Sequence, residues 1–113
     1  MPELQALLKT YFGHSEFRPL QSEVIQQILN GNDALVLMPT GGGKSICYQL
    51  PALVFQGITV VISPLISLMK DQVDAALNNG ISAAYLNSTL TTEQTTKIEK
   101  GLRTGEIKLL YCA

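Results

Sequence analysis

The chain has 113 residues, of which 46% are hydrophobic and 15% are charged. This length fits one domain or part of one, and this balance is typical of a folded core, which excludes a disordered chain. Eight basic and nine acidic side chains give a net charge of −1, so binding to nucleic acid through bulk positive charge is excluded, while a local site stays open.

The first third of the chain predicts two helices and a strand. Leucines at helical spacing indicate a helix that Gly13 ends with a left-handed cap, and a second helix is expected over about 19–29, before Gly31. The run from Ala34 to Met38 is short and wholly apolar, which predicts a strand that is buried on both faces.

The same alternation continues to the end of the chain. Further strands are expected at 58–62, 83–86 and 108–112, of which the first and the last are expected to be buried. Further helices are expected after Gly43, over about 65–78 and over about 91–102, the last with Thr91 or Thr92 as its cap. Strands that alternate with helices predict an α/β fold with a mainly parallel sheet and helices on both faces. Because the sequence stops directly after a strand, where sites in such sheets lie, we expect residues 1–113 to be a fragment with an incomplete sheet.

Several other classes of protein are disfavoured. Cys47 and Cys112 lie far apart and the chain has a single histidine, which argues against a zinc site or a disulfide framework and fits a reducing cytosol. The most apolar region, 50–69, is interrupted by polar residues, glycine and proline, so we expect no membrane span. The expected location is the cytoplasm, or the nucleoid if the protein is bacterial.

The segment from Met38 to Ser45, MPTGGGKS, carries the strongest functional pattern. Successive glycines let the backbone curl around phosphate oxygens, and the N-terminus of the following helix adds a partial positive charge. The Lys44 side chain reaches the β- and γ-phosphates in such a loop, and the Ser45 hydroxyl ligates Mg²⁺. The predicted nucleotide-binding residues here are Thr40, Gly41, Gly42, Gly43, Lys44 and Ser45. The general pattern has glycine where this chain has Met38.

With methionine at that position, MPTGGGKS resembles motif I of superfamily 2 helicases, and of the RecQ family in particular. Phe17–Gln21 resembles motif 0 of that family, and Ser63–Val73 resembles its motif Ia. Leu86–Thr89 and Leu109–Tyr111 resemble further segments in the same order, so the resemblance covers nearly the whole chain. It implies a three-layer, RecA-like P-loop NTPase fold, of which this chain would be the N-terminal part of the first lobe.

The resemblance also implies an activity: ATP hydrolysis, with Mg²⁺, drives 3′–5′ movement along single-stranded DNA and unwinding of duplex DNA in recombination and repair. Lys44 and Ser45 would be the catalytic residues, with Ser45 as the magnesium ligand. RecQ proteins also carry an Asp-Glu-Ala-His box and a second lobe with an arginine finger, which this sequence does not contain. We therefore expect the 113-residue chain alone to bind nucleotide at most.

Motif 0 supplies a possible reader of the base. A glutamine amide can donate to N7 of adenine and accept from its N6 amino group. By resemblance Gln21 would read adenine, with Arg18 and His14 beside the ring. The alternative is that Gln21 and Arg18 are helix-surface residues and His14 a solvated turn residue.

Two segments that follow strands are candidates for DNA contact. By resemblance, motif Ia touches the DNA backbone, which needs hydroxyls, N–H groups and a cation, and no readout of the bases. The predicted DNA-binding residues are Ser63, Pro64, Ser67, Lys70, Asn87, Ser88 and Thr89. The alternative is a Ser-Pro turn, a helix cap and a solvated lysine.

Two other functions compete with a helicase. One is an isolated, non-catalytic nucleotide-binding module, and the other is a P-loop kinase, which also uses Gly43, Lys44 and Ser45. The segments that resemble motifs 0 and Ia disfavour the kinase.

Overall fold

The computed structural model describes residues 2–38 and 43–113, which contacts divide into two units, Met1–Phe55 and Gln56–Ala113. The helices of the first unit are α1 (Pro2–Leu7), α2 (Gln21–Leu29) and α3 (Ile46–Val54). A π-helical segment, Leu8–Phe12, continues α1. In the described part of the chain, no helix is long and apolar enough to cross a membrane.

The first unit is organised around a small apolar core. Its buried side chains come from the three helices and the π-helical segment: Leu4, Leu8, Ile25, Ile46 and Leu50. The predicted first helix is confirmed, and Gly13 ends it in the left-handed conformation, at φ 76°. The α2 helix begins later than predicted because the backbone first makes a turn, closed by a hydrogen bond of 3.1 Å from the Gln21 N–H to the Arg18 carbonyl.

The prediction of a strand at Ala34–Met38 is wrong. This segment has no regular secondary structure, and the side chains of Leu35 and Leu37 are 92% and 85% exposed. A strand is stabilised by hydrogen bonds to a neighbouring strand, so an apolar run indicates where a strand can form but not whether a neighbour is present. The sheet of the described residues consists of three other strands.

The second unit contains that sheet, and along the chain a helix follows each of its first two strands. In chain order its elements are β1 (Thr59–Ile62), α4 (Ile66–Asn78), β2 (Ala83–Leu86), α5 (Thr92–Thr104) and β3 (Leu109–Cys112). The strand order is β1-β3-β2, and both pairings are parallel. The predicted α/β fold with a parallel sheet is therefore confirmed.

The central strand is buried and the first strand is not. Leu109, Leu110 and Tyr111 of β3 are buried, as predicted. The predicted burial of β1 is wrong, since its residues alternate between partly buried and exposed and the Ile62 side chain is 79% exposed. The reason is that α4 and α5 pack mainly against β2 and β3, which leaves one face of β1 uncovered within this unit.

The α5 helix begins with a complete capping box. The Thr91 side chain accepts a hydrogen bond from the Gln94 N–H, at 3.2 Å, and the Gln94 side chain accepts one from the Thr91 N–H, at 2.9 Å. Two backbone N–H groups at the start of the helix are thereby satisfied. The helix predicted with Thr91 or Thr92 as its cap is confirmed, and the cap is Thr91.

We expect Thr91→Ala to lower the free energy of unfolding by about 1 kcal/mol, because the Gln94 N–H loses its acceptor. Chemical denaturation followed by circular dichroism measures this change. Thr96→Ala is the matched control, since Thr96 is exposed on the same helix and its hydroxyl donates only to the Thr92 carbonyl. The control should be neutral or slightly stabilising, because alanine is the better helix former. Equal losses in the two variants would contradict a role for the cap.

Candidate nucleotide and DNA sites

The described part of the predicted phosphate loop lies at the start of α3. Gly43 has φ 83°, in the left-handed region, and the exposed Lys44 and Ser45 follow it directly before the helix. Their carbonyls accept the first hydrogen bonds of the helical turn, from the N–H groups of Cys47 and Gln49, at 3.1 and 2.9 Å. The predicted residues Thr40, Gly41 and Gly42 lie outside the described residues.

This arrangement suits a phosphate group. The N-terminus of a helix carries a partial positive charge, and Lys44, two residues before α3 begins, adds a cationic side chain. The Ser45 hydroxyl, exposed beside it, is an oxygen ligand of the kind that Mg²⁺ takes together with phosphate oxygens. The residues present therefore fit a magnesium-bound polyphosphate.

The side chain of Gln21 lies against this loop. It is 1% exposed, and both ends of its amide are hydrogen-bonded. Its Oε1 accepts from the Arg18 N–H at 2.8 Å, and its Nε2 donates to the Gly43 carbonyl at 3.0 Å. The structure thus brings together two predicted nucleotide-binding segments that are far apart in the sequence.

The other two predicted base-contacting residues are exposed. Arg18 lies at the turn before α2, and its Cδ lies 3.6 Å from the point that a Cβ on Gly43 would occupy. His14 lies in the loop that follows Gly13. Hydrogen bonds join Arg18, Gln21 and Gly43 at the turn before α2. The His14 side chain, in contrast, is exposed to solvent.

Sequence reasoning missed the conformation of Leu20, which has φ 74° and is the one non-glycine residue with positive φ in the described part of the chain. Pro19 and Leu20 form the centre of the turn before α2, and a positive φ at the third position of such a turn normally calls for glycine or asparagine. The proline at the second position was a signal for a turn in the sequence, but the leucine at the third position does not indicate a positive φ.

The Cys47 thiol lies one turn into α3, close to the loop. Its Sγ is 3.9 Å from the Gly43 carbonyl, and the side chain is buried. Burial raises the pKa of the Cys47 thiol because the thiolate would lose its hydration. The group therefore stays neutral and packs as a small apolar side chain.

In the second unit, the sheet brings the two predicted DNA-contact segments to the same end. Ile62 of β1 and Leu86 of β2 both lie opposite Cys112 of β3. Ser63 and Asn87 thus leave the sheet on either side of β3, about 10 Å apart, since neighbouring strands are about 4.8 Å apart. The Ser63 N–H also donates to the Cys112 carbonyl, at 2.9 Å.

The segment after β1 forms a turn and then a helix with one polar row. The Ser63 Oγ accepts a hydrogen bond from the Leu65 N–H, at 3.2 Å. Pro64, Ser67 and Lys70 are exposed, and Ser67 and Lys70 are three residues apart on α4, which places them on the same face. Hydroxyl and ammonium groups on one face are what a phosphate backbone requires.

Lys70 already has an acidic partner. Its Nζ lies 2.8 Å from Asp74 Oδ2, one turn along α4. The hydrogen bond to Asp74, and then the charge of that carboxylate, raise the pKa of Lys70, so the ammonium is charged at neutral pH. Both side chains are exposed, and water and salt screen such a pair, so a phosphate can compete with the carboxylate.

The segment after β2 is shaped by Asn87. Its Oδ1 accepts from the N–H of Thr89, at 2.9 Å, and from the Thr89 hydroxyl, while its Nδ2 lies 3.7 Å from Met69 Sδ. The Asn87 side chain therefore fixes the turn, and the exposed residues at its tip are Ser88 and Thr89. Of the three predicted residues here, these two face solvent most fully.

Comparison with known proteins identifies relatives of this chain. A family model described as DEAD/DEAH box helicase matches residues 18–113. The ATP-dependent DNA helicase RecQ of Haemophilus influenzae is 57% identical over 110 residues, which are 97% of this chain and 18% of that protein. RecQ of Bacillus subtilis is 54% identical over 108 residues, 95% of this chain and 18% of that protein.

A plant protein also matches nearly the whole chain. The ATP-dependent DNA helicase Q-like 4B of Arabidopsis thaliana is 47% identical over 110 residues, 96% of this chain and 10% of that protein. The chain thus spans less than a fifth of the length of these three relatives.

We expect the Cys47 thiol to react severalfold more slowly with iodoacetamide in the folded protein than in the denatured one at pH 8. Burial limits access, and the raised pKa lowers the fraction of thiolate, which is the reactive form. The rate should keep rising at pH values where the denatured thiol has already levelled off. Mass spectrometry of a Cys112→Ser variant, in which Cys47 is the single thiol, measures both rates. Equal folded and denatured rates would contradict the burial of this thiol.

Proposed function

Because this chain belongs to the DEAD/DEAH box helicase family and resembles RecQ helicases, we propose that it is the N-terminal part of the first RecA-like lobe of a RecQ-type DNA helicase. It binds ATP, with Mg²⁺, on the phosphate loop. In the whole protein, ATP hydrolysis drives 3′–5′ movement along single-stranded DNA and the unwinding of duplex DNA during recombination and repair. The chain alone binds nucleotide at most and does not hydrolyse it.

The observation that carries this proposal is the position of Lys44 and Ser45. Both are exposed at the N-terminus of α3, directly after a glycine in the left-handed conformation. The Lys44 ammonium neutralises charge on the β- and γ-phosphates, and the Ser45 hydroxyl holds Mg²⁺. Bound Mg²⁺ offsets the negative charge that the phosphates share. The family match favours this role over that of a P-loop kinase.

The base is proposed to lie near motif 0. The Arg18 stem and the Gln21 amide both lie against Gly43, which supports a base bound beside this turn when the loop holds the phosphates. His14 is exposed in the preceding loop and offers a flat ring. The reading of adenine by Gln21, with Arg18 and His14 beside the ring, is part of the proposal.

DNA is proposed to contact the second unit at the carboxyl ends of β1 and β2. The exposed groups there are the Lys70 ammonium, the hydroxyls of Ser67, Ser88 and Thr89, and Pro64. Ser63 and Asn87 shape the two turns, and their own hydrogen bonds leave capacity for a further partner. Contacts of this kind bind the sugar-phosphate backbone without regard to sequence, which suits movement along a strand.

We expect Lys44→Ala to abolish ATP turnover in the full-length protein and to weaken ATP binding by at least about tenfold, because the charge that faces the phosphates is lost. Calorimetric titration and an ATPase assay measure the two effects. Lys9→Ala is the matched control, since Lys9 is an exposed lysine of the same unit, outside the loop. Turnover like that of the wild type in the Lys44 variant would rule out the assignment.

We expect Lys70→Ala to weaken binding of single-stranded DNA and to reduce the slope of log affinity against log salt by about 0.7, the change for one lost phosphate contact. Asp74→Ala should have the opposite effect on affinity, because it releases Lys70 from its carboxylate partner. Lys100→Ala, an exposed lysine on α5, is the control and should leave both quantities unchanged. Fluorescence anisotropy with labelled DNA of mixed sequence measures them. If the Lys70 and Lys100 variants behave alike, α4 does not contact the DNA backbone.

A further inference from the structure

A small cavity lies beside β2 in the second unit. Its volume is about 230 Å³, and residues of α4, β2 and α5 line it. The apolar part of its wall is formed by Val73, Ala84, Tyr85, Leu90 and Ile98. Val73 and Ala84 are buried, so the cavity reaches the core of this unit. We call this space the β2 cavity.

The β2 cavity has the size of a small organic molecule. One water takes about 30 Å³ in the liquid, so the cavity holds about eight groups of that size. A benzene ring with a short alkyl chain fits this space, whereas a nucleoside with its sugar is too large. The apolar wall favours such a body because the surfaces that come into contact leave water.

One polar side chain at the mouth of the cavity is held in place by the cap of α5. Gln94 lines the cavity and is exposed, and its Oε1 accepts the hydrogen bond from the Thr91 N–H, at 2.9 Å. Since Oε1 is engaged as an acceptor, Nε2 still has two N–H groups to donate. No described residue accepts a hydrogen bond from this Nε2. The capping box therefore fixes the orientation of an amide that keeps its donors for another partner.

The second polar side chain at the mouth is Lys97. It lies three residues beyond Gln94 on α5 and thus on the same face of the helix. Lys97 is exposed, which lets its alkyl stem lie along the apolar wall while the ammonium stays in water. It forms no ion pair with any described residue. Among the described residues that line the cavity it is the one basic residue, and none is acidic, so the mouth attracts an anion.

The two donors are complementary to a carboxylate. A carboxylate has two oxygens that accept hydrogen bonds, so one can accept from Gln94 Nε2 while the other faces the Lys97 ammonium. A cationic group at the same place would be repelled by Lys97. The ligand that satisfies both the wall and the mouth therefore has an apolar body and a single carboxylate.

We propose that the β2 cavity binds a small monocarboxylate with an apolar body of about eight carbon atoms. The body packs against Leu90 and Ile98, and the carboxylate lies between Gln94 and Lys97. This inference goes beyond the proposed function and does not rest on it, since neither a nucleotide nor DNA takes part in the binding.

The probe for this site is 3-phenylpropionate, whose ring and short alkyl chain supply the apolar body. A titration of the full-length protein, followed by saturation-transfer NMR, should give a dissociation constant of about 1 mM, which is ordinary for a ligand of this size. The uncharged 3-phenylpropionamide should bind at least about tenfold more weakly, because the ammonium loses its charged partner. Propionate, which has no ring, should not bind at the same concentrations.

Two exposed residues offer variants that remove the donors and keep the fold. Gln94→Glu preserves the capping box, because glutamate is a usual residue at that position, but it replaces the amide donor with a negative charge. Binding of 3-phenylpropionate should be lost while the unfolding temperature stays the same. Lys97→Met should raise the dissociation constant of the acid by about tenfold and leave that of the amide unchanged. Lys100→Met is the matched control, since Lys100 is exposed on the same helix and is not among the lining residues.

Four results would overturn the inference. They are no saturable binding of 3-phenylpropionate to the wild type, equal binding of the acid and the amide, unchanged binding of the acid in either variant of the mouth, and equal losses in the Lys97 and Lys100 variants. The last result would indicate attraction by the overall charge of α5. If Gln94→Glu does not fold, Lys97→Met decides alone. Because neither ATP nor DNA is present in these titrations, failure of the proposed function would leave their outcome unaffected.

Discussion

The hydrogen bond from Gln21 Nε2 to the Gly43 carbonyl is the constraint on which the first unit's site depends. It joins the start of α2 to the start of α3, and it requires that residue 43 have no side chain. Gln21 is buried and polar, so its amide has to be satisfied within the protein, and Arg18 and Gly43 supply the two partners. The carbonyl of the residue that directly precedes Lys44 is thereby held by a side chain of α2.

In the second unit, the corresponding constraint is the register of the parallel sheet. Because β1 and β2 both pair with β3 and end opposite Cys112, the turns that follow them emerge at one end of the sheet. The short polar side chains of Ser63 and Asn87 then bond to the backbone just ahead of them and shape each turn. This leaves the Ser88 and Thr89 hydroxyls and the Lys70 ammonium exposed near that end. Asp74 forms an exposed ion pair with the Lys70 ammonium, so a phosphate that binds Lys70 has to compete with this carboxylate.

The apolar surface of the described residues shows the limit of pattern reading. Leu35, Leu37 and Ile62 all lie in runs that indicate buried strands, and all three are exposed. The hydrophobicity of a segment indicates that the segment can be buried, but burial also requires a neighbouring element that covers it. An edge strand such as β1 satisfies half of its backbone by pairing and presents the other half outward.

Much of this protein was readable from its sequence. Helices, turns and caps depend on neighbours within a few residues, so the Gly13 cap, a threonine cap at 91 or 92 and the bounds of β2 followed from local pattern. The alternation of elements predicted the parallel α/β sheet, and the order of the motifs identified the helicase family that the comparisons confirm. The roles of the individual site residues stay predictions.

Only the tertiary structure decided which groups meet. The pairing of Gln21 with Gly43 spans 22 residues, and the order β1-β3-β2 places the last strand between two earlier ones. No local rule anticipates a leucine at φ 74°, because its conformation depends on the turn that orients Gln21. Local propensity is a property of the chain, whereas burial, strand order and the partners of a buried amide are properties of the packed molecule, in which distant residues compete for the same space.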